Sequence, residues 1–200
     1  MRLFMVGPSP FARKVLAAAV EHGMFEHIDQ VHANPHQLPR DLVACNPLSK
    51  VPTLVTEDGI VLCDSMSICL YLDAIGEGPA LLPAGGKLRW IVLRRHALAH
   101  GVLDAAVLRR VEGWRAQEPD RLDSISRQVA VCRRTLDLFE AEAASLGDGF
   151  TLDLLTLACA LGFLDFRFPA DHWREGRPLL AGWFDRIVSR PSMQQTMPYD

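Results

Sequence analysis

Three short stretches of this 200-residue sequence carry residue types that could hold an anion or activate a thiol: Ser9-Pro10, Lys50-Val51-Pro52 and Asp64-Ser65. Serine is a good helix N-cap and proline is favoured at the first helical position, so Ser9-Pro10 reads first as a helix start. The same geometry can do chemistry. A helix N-terminus has unpaired N–H groups and a partial positive charge, and a serine hydroxyl beside it can donate a hydrogen bond to a thiolate. A free thiol with a pKa of about 8.5 is only a few per cent ionised at neutral pH. Lowering that pKa by about two units needs about 2.7 kcal/mol of preferential thiolate stabilisation.

Val51-Pro52 permits two readings. A trans proline marks a sheet edge. A cis bond would turn the Val51 N–H and C=O toward an extended peptide, which could pair with them antiparallel. Asp64-Ser65 stands where a strand meets a helix, and either it caps that helix or the Ser65 hydroxyl and N–H hold a carboxylate. Asp64 could then meet an ammonium beside that carboxylate, and Lys50 offers a point charge for a second one.

The elements that must position these residues follow from periodicity. Leu3–Val6 reads as a buried strand, Pro10–His22 as a helix ended by Gly23, and Ile28–Val31 as a weaker strand. A loop or short helix spans Leu38–Ala44. Val51–Val55 and Ile60–Cys63 read as strands around Glu57-Asp58-Gly59, a hairpin signal, and Ser65–Ile75 as a helix. In residues 76–86, six of the eleven are Gly or Pro, which suits a linker. Beyond it only helical patterns remain: Lys87–Val111, Asp120–Leu146, Thr151–Phe166 and Leu179–Val188. The expected plan is an α/β domain over 1–75, a linker over 76–86 and an all-helical domain over 87–200.

Composition narrows the function classes. Net charge is −3, with five basic and eight acidic side chains in residues 1–75 and sixteen of each beyond, so neither part is a basic platform for nucleic acid. The 49% hydrophobic content suits a globular chain, and no apolar run reaches the length of a membrane span. There is no secretory signal pattern at the start. The five cysteines form no C-x-x-C pair, which suits a reduced, cytoplasmic protein with most thiols in its core.

Taken together, Ser9-Pro10-Phe11-Ala12-Arg13-Lys14, Asn46-Pro47-Leu48-Ser49-Lys50-Val51-Pro52-Thr53-Leu54 and Asp64-Ser65-Met66-Ser67-Ile68-Cys69-Leu70-Tyr71-Leu72 resemble the glutathione transferase superfamily. The resemblance covers essentially the whole chain and points to the serine/cysteine branch, in particular its small bacterial members. It implies a thioredoxin-like N-terminal domain (βαβ-ββα) followed by an α-helical domain, in a homodimer. It implies that Ser9 activates the glutathione sulfur and that Val51, before a cis Pro52, binds the cysteinyl backbone. Asp64 and Ser65 would hold the γ-glutamyl group, and Lys50 would approach the glycyl carboxylate. Phe11, His100 and Asp104 would line the pocket for a small electrophile. Glutathione enters as a substrate, and no metal is implied. Two rivals use the same scaffold: a non-catalytic protein-interaction module, and a glutathione-dependent isomerase or peroxidase.

The sequence departs from the family at identifiable places. Asp64 stands where many relatives have glutamate, one methylene longer. Ser9 stands where disulfide-reducing relatives carry cysteine, so thiol-disulfide exchange should be poor. Asp153 is one place early for a capping box with Thr151, leaving Thr151 alone to cap. Elsewhere, His96 and His100 share a helical face without a third metal ligand, and read as solvent-facing or cleft-lining. Arg94-Arg95 and Arg109-Arg110 read as solvated faces or ion-pair partners, Asp165-Phe166-Arg167 as a helix-end ion pair, and the four tryptophans as core or interface anchors.

Overall fold

A computed structural model describes residues 1–116 and 119–200. Strand β1 (Arg2–Met5) runs parallel to β2 (Asp29–His32) and antiparallel to β3 (Thr53–Val55), which pairs antiparallel with β4 (Val61–Leu62). The strand order is β2-β1-β3-β4. Helix α1 (Pro10–Glu21) crosses between β1 and β2, the short α2 (Arg40–Cys45) precedes β3, and α3 (Ser65–Ile75) follows β4. Five residues, Thr56 to Ile60, carry the chain around the β3–β4 turn. There Gly59 adopts φ +84°, and Thr56 both accepts the Ile60 N–H at 2.9 Å and donates to Asp58.

The rest is helical: α4 (Gly86–Glu112), α5 (Pro119–Glu142), α6 (Leu152–Arg167), α7 (Pro178–Val188) and α8 (Pro191–Gln195). The expected class, a small mixed α/β sheet domain followed by helices, is what the chain forms. Both strands around the hairpin are shorter than their β-rich sequence suggested, so Val51 and Pro52 lie before β3 and outside the ladder. The last turn of the expected 120–146 helix tightens into a 3₁₀ turn at Ala143–Ser145. Helix α8 is too short for periodicity to reveal.

One hydrophobic core runs through both parts. Ala17, Ala18 and Ala19 of α1 are fully buried, and these small side chains let α1 lie close to its neighbours. Helix α6 is buried almost all round and packs on both α1 and α4. Gly162 of α6 faces Arg13, leaving the guanidinium room to reach the Met193 carbonyl at 3.0 Å. The glycine-rich stretch after α3 is held down rather than free. Leu81 is buried, its N–H meets Asp73 at 2.7 Å, and its C=O receives the Leu152 N–H at 2.8 Å.

Several expectations change in the structure. Thr151 sits at the α6 N-cap but makes no side-chain capping bond; its hydroxyl donates to Asp153 at 2.5 Å. Asp165 and Arg167 do not pair with each other: Asp165 holds Arg174, and Arg167 holds Asp200. Three or four positions apart would have aligned them on a helix, whereas two positions apart puts them on different faces. His96 is neither solvent-facing nor in the cleft but buried, 3.0 Å from Thr156. Trp173 and Trp183 are core, while Trp90 and Trp114 are 69% and 56% exposed. Arg95 is buried on Glu142 and Ser145, and Arg109 pairs with Asp171.

Candidate active site

All three motif loops open on one cleft of about 940 Å³ between the sheet and helices α4 and α6. Ser9, Phe11, Lys50, Val51, Pro52, Asp64, Ser65, His100 and Asp104 all line it, so the structure brings together every residue singled out for the site.

At the first corner, the donors at the start of α1 can be counted. Pro10 has none, the Ala12 N–H goes to Ser9 Oγ at 3.2 Å, and the Arg13 N–H goes to the Ser9 carbonyl at 3.0 Å. The Phe11 N–H has no partner among the described residues. Because Ser9 Oγ already accepts, its own proton is free to donate into the cleft. The expected cap and the expected donor are therefore the same residue, using its lone pair and its proton separately.

At the second corner, the Val51–Pro52 peptide is cis. Asn46 organises the loop before it. Its side chain donates to the Lys50 carbonyl at 3.2 Å and to Thr53 at 2.9 Å, and accepts the Leu48 N–H at 3.0 Å. Val51 is left outside the ladder at the cleft wall, where an extended peptide could pair with it. Lys50 is exposed beside it. Asn46 lies within the Asn46–Leu54 stretch of the sequence, but its part in the site shows only in the structure, as a buried amide bridging two segments of the loop.

At the third corner, one oxygen of Asp64 caps α3, accepting N–H groups from Met66 at 2.9 Å and Ser67 at 3.3 Å. Its second oxygen is uncommitted. Burial would push the Asp64 carboxyl up, but the N–H groups of Ser67 and Met66 and the charges of Lys14 and His100 win and hold it below the usual range. Ser65 is 1% exposed, and its hydroxyl has no partner among the described residues. A carboxylate arriving here would meet the Ser65 hydroxyl and a helix N-terminus, with Asp64 beside it for an ammonium.

The helical wall comes from one face of α4, at 100, 104, 107 and 111, from Trp114 just beyond its end, and from Phe163 and Arg167 of α6. That spacing was legible as a helical stripe, yet only His100 and Asp104 were drawn from it. His100 lies against Phe11, with ring centroids 5.2 Å apart, and 3.8 Å from Asp104. Burial, with the Lys14 charge, lowers its pKa despite the two carboxylates nearby. Trp114 meets His36 edge-on at 5.0 Å, linking the two walls.

Lys14 is fully buried beneath this floor, its ammonium without a hydrogen-bond partner among the described residues, and burial lowers its pKa. The core thiols are poor nucleophiles: burial pushes Cys69 up to about 12 and Cys159 up to about 11. Among the described residues no group of three or more His, Cys, Asp or Glu could hold a metal ion. None of the helices is long and apolar enough to cross a membrane, again among the described residues.

Comparison with known proteins identifies the family of this chain. Residues 8–75 match the family model of the glutathione S-transferase N-terminal domain, and residues 122–186 that of the C-terminal domain. The chain is 33% identical to YibF, an uncharacterised GST-like protein of Escherichia coli K12, over 99% of this chain and 98% of the relative. A glutathione transferase family member of Pseudomonas fluorescens Pf-5, solved with bound glutathione, superposes with a TM-score of 0.93 at 39% identity, covering 100% of this chain and 99% of that one. The same organism's protein with bound S-(propanoic acid)-glutathione gives a TM-score of 0.89 at 37% identity, with both chains fully covered. This chain belongs to the glutathione S-transferase superfamily.

Proposed function

We propose that the protein is a glutathione transferase. It binds glutathione along the sheet side of the cleft, stabilises the sulfur as a thiolate at Ser9, and joins it to a small electrophile held against α4 and α6. One observation carries this reading: the Ser9 hydroxyl, with its proton unspent, opens on the same cleft as Val51, the start of α3 and Lys50. The γ-glutamyl carboxylate suits Ser65, its ammonium suits the open oxygen of Asp64, the cysteinyl backbone suits Val51, and the glycyl carboxylate suits Lys50. The glutathione and S-(propanoic acid)-glutathione bound in the two Pseudomonas structures support glutathione as the ligand.

The chemistry follows from these groups. The thiol loses its proton to solvent, and the Ser9 hydrogen bond and the α1 terminus stabilise the anion. Sulfur then bonds to the electrophilic carbon while the leaving group departs with its bonding pair. In conjugate addition, the displaced π pair is instead protonated from water. The protein supplies position and electrostatics. The same reading takes the protein to be a cytoplasmic homodimer acting in detoxification, on the family's usual behaviour.

Calorimetric titration with glutathione, paired with thiolate absorbance across pH, tests the reading in wild type and Ser9→Ala. Binding with a depressed thiol pKa that Ser9→Ala restores supports it. Absence of binding in folded protein would sink it and favour an interaction module. Turnover of peroxide or of an isomerisable double bond in place of conjugation would favour the other rival.

A further inference from the structure

The helical wall of the cleft is mostly apolar, from Phe11, Val107, Val111, Trp114 and Phe163, but two guanidinium groups interrupt it. Arg110 and Arg167 stand in the last turns of α4 and α6. Arg109 is spent elsewhere, in a two-point ion pair with Asp171. Arg110 instead lies by Trp114, 5.6 Å from its ring centroid, and makes no salt bridge among the described residues. Arg167 is largely buried, its guanidinium stacked 4.0 Å over Phe166. Of the acidic residues on the cleft, Asp64 caps α3 with one oxygen and Asp104 lies 3.8 Å from His100, and neither pairs with Arg110 or Arg167 among the described residues.

This pair already faces a carboxylate. Arg167 Nη2 donates to Asp200 Oδ1 at 2.5 Å, and this hydrogen bond, helped by the charges of Arg167 and Arg110, holds the Asp200 carboxyl below its ordinary range. The residue before it is laid against the β1–α1 turn: a side chain at Gly7 would meet the Tyr199 ring at 2.5 Å. The chain thereby brings its own carboxylate to the two arginines, alongside the turn that carries Ser9.

We propose that the electrophile of this enzyme is an apolar molecule bearing a carboxylate, seated on Arg110 and Arg167, and that Asp200 occupies this place until substrate displaces it. The inference rests on the transferase reading and adds the substrate class. Planar guanidinium forks suit a carboxylate, and the apolar wall suits the carbon frame that carries it. The carboxylate keeps its charge throughout, while the bond changes occur at the carbon that sulfur attacks.

The test measures calorimetric affinities for two stable adducts, S-(4-carboxybenzyl)glutathione and S-(4-carbamoylbenzyl)glutathione, with plain glutathione as reference. Wild type should prefer the carboxylate by about threefold or more, the scale of a partly exposed charge-assisted pair. Asp200→Asn should widen that preference, and Arg110→Met and Arg167→Met should each shrink it. Equal affinities in both wild type and Asp200→Asn, or a preference that survives both arginine substitutions, overturns the carboxylate site. A wild-type preference unchanged by Asp200→Asn overturns the role given to Asp200. If glutathione binds but the carboxylate adds nothing, this inference alone fails; if glutathione itself does not bind, the transferase reading fails with it.

Discussion

His96 Nδ1 lies 3.0 Å from Thr156 Oγ1, and this contact joins α4 to α6 in the buried floor beneath the cleft. The Thr156 hydroxyl spends its proton on the Leu152 carbonyl at 2.6 Å, so it can only accept from His96, which therefore carries its proton on Nδ1. Burial, with help from the Lys14 and His100 charges, pushes the His96 pKa from 6.5 down to about 3. The folded state thus holds this ring neutral where the unfolded chain would protonate it. Stability from this source is complete above pH 6.5 and is lost as pH falls toward about 3. We expect an acid-side slope of about 1.4 kcal/mol per pH unit from His96. Urea unfolding of wild type and His96→Gln across that range measures it; equal slopes in the two proteins would refute the assignment.

Ser65 should separate stability from binding. Its buried hydroxyl has no partner among the described residues, so Ser65→Ala removes an unsatisfied polar group and should leave the free protein as stable or up to about 1 kcal/mol more so. Glutathione affinity should fall about tenfold or more, since a hydrogen bond to a charged carboxylate is lost. Thermal unfolding without ligand and calorimetry with glutathione read the two effects. A large destabilisation of the free protein would instead make Ser65 structural.

Ser9→Ala should act on the sulfur and on the helix together. Loss of a hydrogen bond to an anion, about 1.5–3 kcal/mol, corresponds to about one to two pKa units on the bound thiol. The rate of conjugation rises with pH through the thiol pKa, so the variant's profile should shift to higher pH by that amount. Loss of the α1 cap should also cost about 1 kcal/mol of stability. An unmoved profile would assign activation to the α1 terminus alone.

Glu21 clamps α1 to the C-terminal helices. It receives Arg190 at 3.1 and 2.7 Å and the Ser192 hydroxyl at 2.5 Å. Burial would raise its pKa, but these donors win and keep it below the ordinary value. Glu21→Ala should cost about 2 kcal/mol, because two donors lose their acceptor. This stability is present above the ordinary pKa of 4.5 and fades as pH falls below it. Denaturant titration of Glu21→Ala, Arg190→Ala and the double variant should show costs well short of additive; additive costs would dissolve the clamp.

Local physics made the N-terminal half readable. Ser9-Pro10 and Asp64 start helices through contacts two or three residues away, Asp58-Gly59 turns a hairpin within its own loop, and the three motif loops converge because the sheet order places their ends together. The tertiary structure alone decided what depends on how long helices are rotated against each other. Packing of α4 on α6 sends His96 into the core but leaves His100 and Asp104 in the cleft, although all three lie on one side of the same helix. It directs Arg109 to Asp171 and Arg110 to the cleft, and gives Asp165 and Arg167 separate distant partners. Turns and caps are written in neighbouring residues, whereas the partner of a charged side chain on a helix face is set by which helix the fold brings opposite it.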